Sequence, residues 1–195
     1  HSSRNISEGL QLNNMNILIA PDSFKGTLTA QQVCDIIGQA FEDTIKDSEI
    51  IKLPAADGGE GLCACLHKIS GGEMISAEVC GVFGEKTTAE YLMLNDKTAV
   101  VEMAACSGLP LAGKNKNPEK ATPFGVGELI KNPVSNGAER IMLGLGGSAT
   151  NDCGVGMAAA LGFVFFDKSG NSFVPTGGSL KNVSKITLPE NPIDI

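Results

Sequence analysis

The stretch Glu139–Leu161, ERIMLGLGGSATNDCGVGMAAAL, passes from an apolar run through a glycine-rich turn into a helical pattern. Its apolar start, Glu139–Leu143, predicts a buried strand, and Val155–Leu161 predicts a helix. Between them, glycines let backbone N–H groups approach an anion closely, and the start of a helix favours negative charge. The stretch therefore predicts an α/β unit whose turn, Gly144–Gly156, binds a phosphate group.

Polar side chains crowd the same turn. Ser148 and Thr150 can donate hydroxyl hydrogen bonds. Asn151 follows them, and Asp152 can hold Mg²⁺ or accept a proton. An ordinary helix N-cap needs only one such residue, so the crowding favours a ligand site over a cap.

A dinucleotide site is an alternative interpretation of the same residues. Gly144, Gly146 and Ala149 satisfy the spacing G-x-G-x-x-A, and Asp167 follows a predicted strand at nearly the distance of a ribose-binding acid. A nicotinamide-dependent oxidoreductase is therefore an alternative function for this stretch. Against it, Thr150, Asn151 and Asp152 replace the small residues expected after the motif, and an aspartate there would repel a pyrophosphate unless a metal intervened.

Near the N-terminus, a strand and a helix flank a polar loop. The apolar run Asn16–Ala20 predicts the strand, and Thr29 with Gln32 has the pattern of a capping box that opens the helix. The loop carries Asp22, Ser23 and Lys25. The lysine is a mobile cation that can reach a phosphate or a carboxylate, although a solvated loop explains it equally well.

An acidic turn, Asp57–Gly61 (DGGEG), follows the predicted strand Glu49–Leu53 and precedes another helix. Asp57 as N-cap with Glu60 reaching back is one interpretation. Three glycines in four positions exceed what a cap needs, so Mg²⁺ binding or general-base chemistry is the favoured one. The repeated order of strand, turn and helix predicts a parallel sheet with both turns at the carboxyl ends of strands.

After residue 72 the pattern changes to successive strands with short turns, at Glu73–Cys80, Thr87–Leu94 and Thr98–Met103. A helix is predicted from Thr122 to about Asn136. We therefore expect an α/β protein with a first parallel-sheet domain over residues 15–72 and a second, mixed α/β domain over residues 73–195. Residues 1–14 resemble a vector remnant and are excluded from fold prediction.

Composition limits the partners. The formal net charge of −7 argues against nucleic acid and anionic membranes, because both attract clustered Lys and Arg. No run of about 18 apolar residues occurs, so no membrane span is expected. The six cysteines have irregular spacing and no CxxC pair, which favours reduced thiols over zinc ligands or disulfides. These features predict a soluble cytoplasmic protein with a small-molecule ligand.

Five stretches together resemble the glycerate kinase family, whose α/β fold is unrelated to P-loop and protein kinases. They follow the family's order and span most of the chain from Met15 onward. The stretches are APDSFKGTLTA (Ala20–Ala30), PAADGGEG (Pro54–Gly61), ACSGL (Ala105–Leu109), TPFGVGELI (Thr122–Ile130) and GLGGSATNDCGVGMAAALG (Gly144–Gly162). Two positions depart from the family's pattern: Cys153 stands where glycine is usual, and Leu62 where a small or hydroxyl residue is common.

The resemblance implies that the γ-phosphoryl group of ATP is transferred to a hydroxyl of D-glycerate with Mg²⁺, giving phosphoglycerate and ADP. It also implies that the first domain is Rossmann-like. By position, it implies that Asp22, Ser23, Lys25, Asp57, Glu60 and the Gly146–Asp152 turn line the site. The predicted binding residues are Asp22, Ser23, Gly58, Gly59, Glu60, Ser107, Gly146, Gly147, Ser148, Thr150 and Asn151, and the predicted catalytic residues are Lys25, Asp57 and Asp152.

Individual roles follow from what phosphoryl transfer requires, which is positioning and charge neutralisation. Lys25 is expected to neutralise a phosphate or the glycerate carboxylate. Asp57 or Asp152 is expected to act as the base, and Asp152 is the predicted metal ligand. Family members extend well past Ile195, so we expect an N-terminal fragment with an incomplete second domain and with weak or no kinase activity in isolation.

Overall fold

The computed structural model describes residues 15–193, and the expected vector remnant at residues 1–14 lies outside them. The chain divides into two compact units between Ala56 and Asp57. Both units combine helices with strands and contain a parallel strand pair, which makes this an α/β protein, as predicted.

In the first unit, β1 (Asn16–Ile19) and β2 (Glu49–Lys52) form a parallel pair connected by α1 (Ala30–Thr44). The predicted capping box is confirmed. Thr29 Oγ1 accepts from Gln32 N at 3.2 Å, and Gln32 Oε1 accepts from Thr29 N at 2.8 Å. Local hydrogen bonding at the N-cap therefore fixes where α1 begins.

The second unit is built on a four-stranded mixed sheet in the order β3-β4-β5-β6. Its strands are β3 (Glu73–Cys80), β4 (Lys86–Met93), β5 (Thr98–Glu102) and β6 (Arg140–Gly144). The β3–β4 and β4–β5 pairs are antiparallel, whereas β5 and β6 are parallel. Every residue of β5 is buried, as expected of a central strand with both faces covered.

Three helices accompany this sheet: α2 (Leu62–Ser70), α3 (Ala104–Ser107) and α4 (Phe124–Ser135). The main core lies between α4 and one face of the sheet and includes the fully buried residues Tyr91, Val101, Val126 and Leu129. On the other face, Leu62 and Leu66 of α2 pack against Leu92 and Val100. Because of this packing α2 belongs to the second unit, whereas the predicted domain boundary after Gly72 places it in the first.

A smaller sheet follows α5 (Val155–Ala160). Strand β7 (Val164–Phe166) pairs antiparallel with both β8 (Ser172–Phe173) and β9 (Lys185–Thr187), and a 3₁₀ helix spans Gly177–Asn182. Within residues 15–193, no helix combines the length and apolar content needed to cross a membrane.

Candidate phosphate-binding site

The two parallel strands β5 and β6 end side by side. Glu102, the last residue of β5, is in register with Gly144, the last residue of β6, and Met103 N donates to Gly144 O at 2.8 Å. The glycine turn after β6 therefore begins at the carboxyl edge of the sheet. Ligands of open α/β sheets bind at this edge.

The Asp57–Gly61 turn, or first turn, packs directly against the Gly144–Gly156 turn that follows β6, or second turn. Gly146 N donates to Gly58 O at 2.9 Å. A Cβ atom on Gly146 would lie 2.7 Å from Gly59 Cα, and one on Gly144 would lie 2.6 Å from Gly58 O. The two backbones approach so closely that only glycine fits at these positions without a shift.

Backbone donors cluster where the turns meet. Among residues 15–193, no acceptor is found for the N–H groups of Gly59, Glu60, Gly147 and Ser148. The Cβ position of Gly147 lies 3.9 Å from Glu60 N, so the donors of one turn adjoin the backbone of the other. Adjacent backbone N–H groups of this kind are a recurring anion-binding arrangement.

A third segment, Ser107–Leu109, is hydrogen-bonded to the second turn. Leu109 N donates to Gly147 O at 2.8 Å, and Ala149 N donates to Ser107 O at 2.9 Å. The Ser107 hydroxyl is fully buried and donates to Thr122 O at 3.1 Å. These contacts give Ser107 a structural task, and its predicted contact with a ligand stays a prediction.

The hydroxyl groups of the second turn bind each other. Ser148 Oγ lies 2.6 Å from Thr150 Oγ1 and accepts from Thr150 N at 2.9 Å. Both residues are half-buried, and Asn151 beside them is exposed. These contacts hold the hydroxyl pair in a fixed orientation within the predicted phosphate-binding turn.

Asp152 is only 2% exposed, and both carboxylate oxygens are occupied. Oδ1 accepts from Gly154 N at 3.0 Å and Oδ2 from Gly156 N at 2.9 Å. This carboxylate therefore satisfies the first N–H groups of α5, as an N-cap does. The geometry favours this structural task, and the predicted roles of Asp152 as base and metal ligand stay predictions.

Asp57 and Glu60 are both exposed in the first turn. The capping interpretation of these two residues is wrong, because the N-cap of α2 is Gly61, in a left-handed conformation and without a side-chain cap. The start of α2 is instead held by Glu102, whose carboxylate accepts from Gly61 N and Cys63 N. From the sequence, Glu102 follows a predicted strand and is only a lesser candidate that a cap or loop role explains as well, and the structure gives it the capping role.

The predicted residues Asp22, Ser23 and Lys25 belong to the first compact unit. Ser23 N donates to Asp22 Oδ1 at 2.6 Å, and Phe24 and Leu28 close the loop through backbone hydrogen bonds. Lys25 is exposed and takes part in none of the ion pairs within residues 15–193. Its ammonium group is therefore available to a ligand, and its grouping with Asp57 stays a prediction.

A sequence model described as the glycerate kinase family matches residues 17–193. The chain belongs to the glycerate kinase family. It is 45% identical to a glycerate kinase of Bacillus subtilis (strain 168) over 176 aligned residues. This alignment covers 89% of this chain and 46% of that protein. The chain is 42% identical over 176 residues to a glycerate 2-kinase of Escherichia coli (strain K12), with the same two coverages.

A solved structure extends the likeness to three dimensions. The crystal structure of a candidate glycerate kinase 2 from Salmonella typhimurium LT2 matches with a TM-score of 0.73 at 40% sequence identity, covering 93% of this chain and 49% of that one. This member of the glycerate kinase family thus spans slightly less than half the length of the curated relatives that it matches.

In this member of the glycerate kinase family, the interpretation of Gly144–Ala149 as a dinucleotide site is wrong. A dinucleotide-binding unit needs two neighbouring parallel strands joined by its helix. Here β6 pairs with β5, whereas β7 lies in the separate antiparallel sheet. Asp167 instead closes a hairpin turn, and hydrogen bonds from Asn171 and Ser169 lower the pKa of its carboxyl group.

Within residues 15–193 of this glycerate kinase family member, no three His, Cys, Asp or Glu side chains come together as a ready-made metal site. A site with one or two protein carboxylates remains compatible with the exposed acids of the first turn. Mg²⁺ is usually bound in this way, with phosphate oxygens and water completing its coordination.

Proposed function

We propose that the protein is a kinase that transfers the γ-phosphoryl group of ATP to a hydroxyl of D-glycerate, giving phosphoglycerate and ADP. The observation that carries this proposal is the cluster of backbone N–H groups where two glycine turns meet, beside the exposed carboxylates of Asp57 and Glu60. The family and the named activities of the relatives support the same reaction.

The N–H groups of Gly59, Glu60, Gly147 and Ser148 are proposed to bind phosphate oxygens. They are already oriented by the hydrogen bond between Gly146 and Gly58, so little reorganisation accompanies binding. The hydroxyl pair of Ser148 and Thr150 is proposed to add side-chain donors, and Asn151 an amide.

The acidic residues of the first turn fit Mg²⁺, because exposed carboxylate oxygens beside a phosphate site are the donors that this ion prefers. Glu60 would hold it, which leaves the carboxylate of Asp57 free to act as a base. When bound, Mg²⁺ neutralises negative charge on the phosphate oxygens.

Asp57 is our proposed general base, which accepts the proton of the glycerate hydroxyl. It is exposed, whereas both oxygens of Asp152 already accept backbone hydrogen bonds. Lys25 is proposed to bind a phosphate or the glycerate carboxylate as a mobile cation. Such groups act in phosphoryl transfer mainly through position and charge.

The proposed setting is the cytoplasm, with a small-molecule substrate and no nucleic-acid or membrane partner. The six cysteines are thiols rather than disulfides, which suits a reducing compartment. A net charge of −7 is unfavourable for association with polyanions.

The test is ligand binding followed by turnover. The thermal midpoint of the chain is measured with Mg-ATP, with D-glycerate and with NADH, and ADP release is then measured with Mg-ATP and D-glycerate together. Stabilisation by Mg-ATP is expected. Stabilisation by NADH instead, or by none of the three ligands, contradicts the proposal for this chain.

ADP release also separates a complete catalyst from a phosphate-binding part of one. Glycerate-dependent release by this chain alone would show that it holds all groups needed for transfer. Binding without release would agree with the expected fragment, and the transfer assay is then repeated on a family member of full length that carries the same residues. If that protein releases no ADP in a glycerate-dependent manner, the kinase proposal is contradicted.

A further inference from the structure

Glu102 is a buried acid with a specific task. It ends β5 at the carboxyl edge of the sheet, and it is 8% exposed. Its Oε1 accepts from Cys63 N at 2.6 Å, and its Oε2 accepts from Gly61 N at 3.1 Å. Both oxygens are therefore engaged by one neighbouring segment.

That segment is the junction of the first turn with α2. Gly61, the N-cap residue, has φ 91° and no side chain, so it cannot cap the helix itself. The carboxylate of Glu102 replaces the missing cap and places a negative charge at the positive end of the helix dipole. Among residues 15–193, Glu102 takes part in no ion pair, so these N–H groups are its counterpart.

The first turn is consequently held at both ends. Gly58 O accepts from Gly146 N at one end, and Gly61 N donates to Glu102 at the other. The residues between these two attachments are Gly59 and Glu60, whose N–H groups have no acceptor within residues 15–193. The position of these donors thus depends on both attachments.

We infer that Glu102 is a positioning residue that holds the Asp57–Gly61 turn in the shape that binds phosphate. The inference rests on the proposed function, because it assigns the purpose of the turn to a phosphate ligand. Glu102 acts through the turn and does not itself contact the ligand. A hydrogen bond to a charged group is stronger than a neutral one, so this attachment is hard to replace.

The variants are Glu102→Ala, which removes both acceptors, and Glu102→Gln, which keeps one acceptor oxygen. Glu128→Ala is the matched control, because Glu128 Oε2 likewise accepts a backbone N–H, that of Cys80 at 2.7 Å, at the end of β3. Amide hydrogen exchange is measured peptide by peptide, and the Mg-ATP dissociation constant is measured by calorimetry. A Glu102 variant is used for binding only if its circular dichroism is native.

In Glu102→Ala, the peptide of residues 57–63 should exchange faster because the amides of Gly61 and Cys63 lose their acceptor. These two amides should exchange about 10–100 times faster, which is the loss expected for hydrogen bonds to a charged group. The dissociation constant of Mg-ATP should rise by about 10-fold or more. Glu102→Gln should give a smaller change of both quantities. Glu128→Ala should alter exchange around Cys80 and leave the Mg-ATP constant within about twofold of wild type.

The inference is overturned by unchanged exchange of residues 57–63 in both Glu102 variants, or by faster exchange there with an unchanged Mg-ATP constant. An equal loss of Mg-ATP affinity in Glu128→Ala also overturns it, because the effect is then one of general stability. If the wild-type chain binds no Mg-ATP, the proposed function fails for this chain. Faster exchange confined to residues 57–63 in Glu102→Ala then still supports Glu102 as the attachment of the turn, and an unchanged exchange rate there refutes it.

Discussion

Replacing Gly146 by alanine tests the packing of the two turns. A Cβ at this position would lie 2.7 Å from Gly59 Cα and 2.8 Å from Gly59 N. These are backbone atoms, so no side-chain rotation relieves the contact, and the turns must separate. Gly146 does not have a positive φ, so alanine brings no left-handed strain and the whole cost is steric.

The magnitude follows from two contributions. Overpacking of a close contact costs about 1–3 kcal/mol. Loss of the hydrogen bond from Gly146 N to Gly58 O adds about 1 kcal/mol, for a total of about 2–4 kcal/mol. For a chain of this size each kcal/mol lowers the thermal midpoint by about 2–4 °C, so a fall of about 4–16 °C is expected.

The assay is thermal unfolding of Gly146→Ala together with calorimetric titration of Mg-ATP. Gly84→Ala is the control: its φ is 93° and a Cβ meets no atom within 4 Å, so only backbone strain of about 1–2 kcal/mol is added. The control should bind Mg-ATP as wild type does, and Gly146→Ala should bind it weakly. A midpoint of Gly146→Ala within about 2 °C of wild type, with unchanged affinity, refutes the packing described for the turns.

Three further outcomes are expected. Asp57→Asn in a full-length family member should lower kcat by about 10²–10⁴-fold with little change in the thermal midpoint, and an unchanged kcat would exclude Asp57 as the base. Cys153→Gly should raise the unfolding free energy by about 1 kcal/mol in urea titrations, because Cys153 has φ 57°; a lower value would contradict the strain. In thiol titration with a disulfide reagent at pH 8, exposed Cys153 should react first. Burial raises the pKa of Cys63 to about 12 and that of Cys106 to about 11, so both should react only on unfolding, and rapid reaction of either would disprove their burial.

Local features of this fold could be predicted from the sequence because local residues determine them. The capping box at Thr29 involves a residue three positions away, and β6 follows from its own apolar run. The composition of the glycine turns predicts a site, and that assignment stays a prediction. Their mutual contact depends on the parallel pairing of β5 with β6, which no local pattern encodes, so only the family resemblance groups the two turns.

The capping interpretation of the first turn shows the same limit. Asp57 and Glu60 have the spacing of a capping pair, yet the acceptor at Gly61 N comes from Glu102, 41 residues along the chain. Asp152 differs, because its two donors, Gly154 N and Gly156 N, lie only two and four residues away. An N-cap role for Asp152 is therefore a local feature, whereas its burial depends on the packed fold.

The proposed phosphate donors come from Gly59 and Glu60 on one segment and from Gly147 and Ser148 on another, far apart along the chain. A peptide that contains either turn alone lacks half of the donors, and joining the halves requires closure of a long loop, which is entropically costly and slow. During refolding, the ability to bind a nucleotide should therefore appear with the slowest long-range step rather than with helix formation. Nucleotide binding would then report completed assembly of the sheet edge.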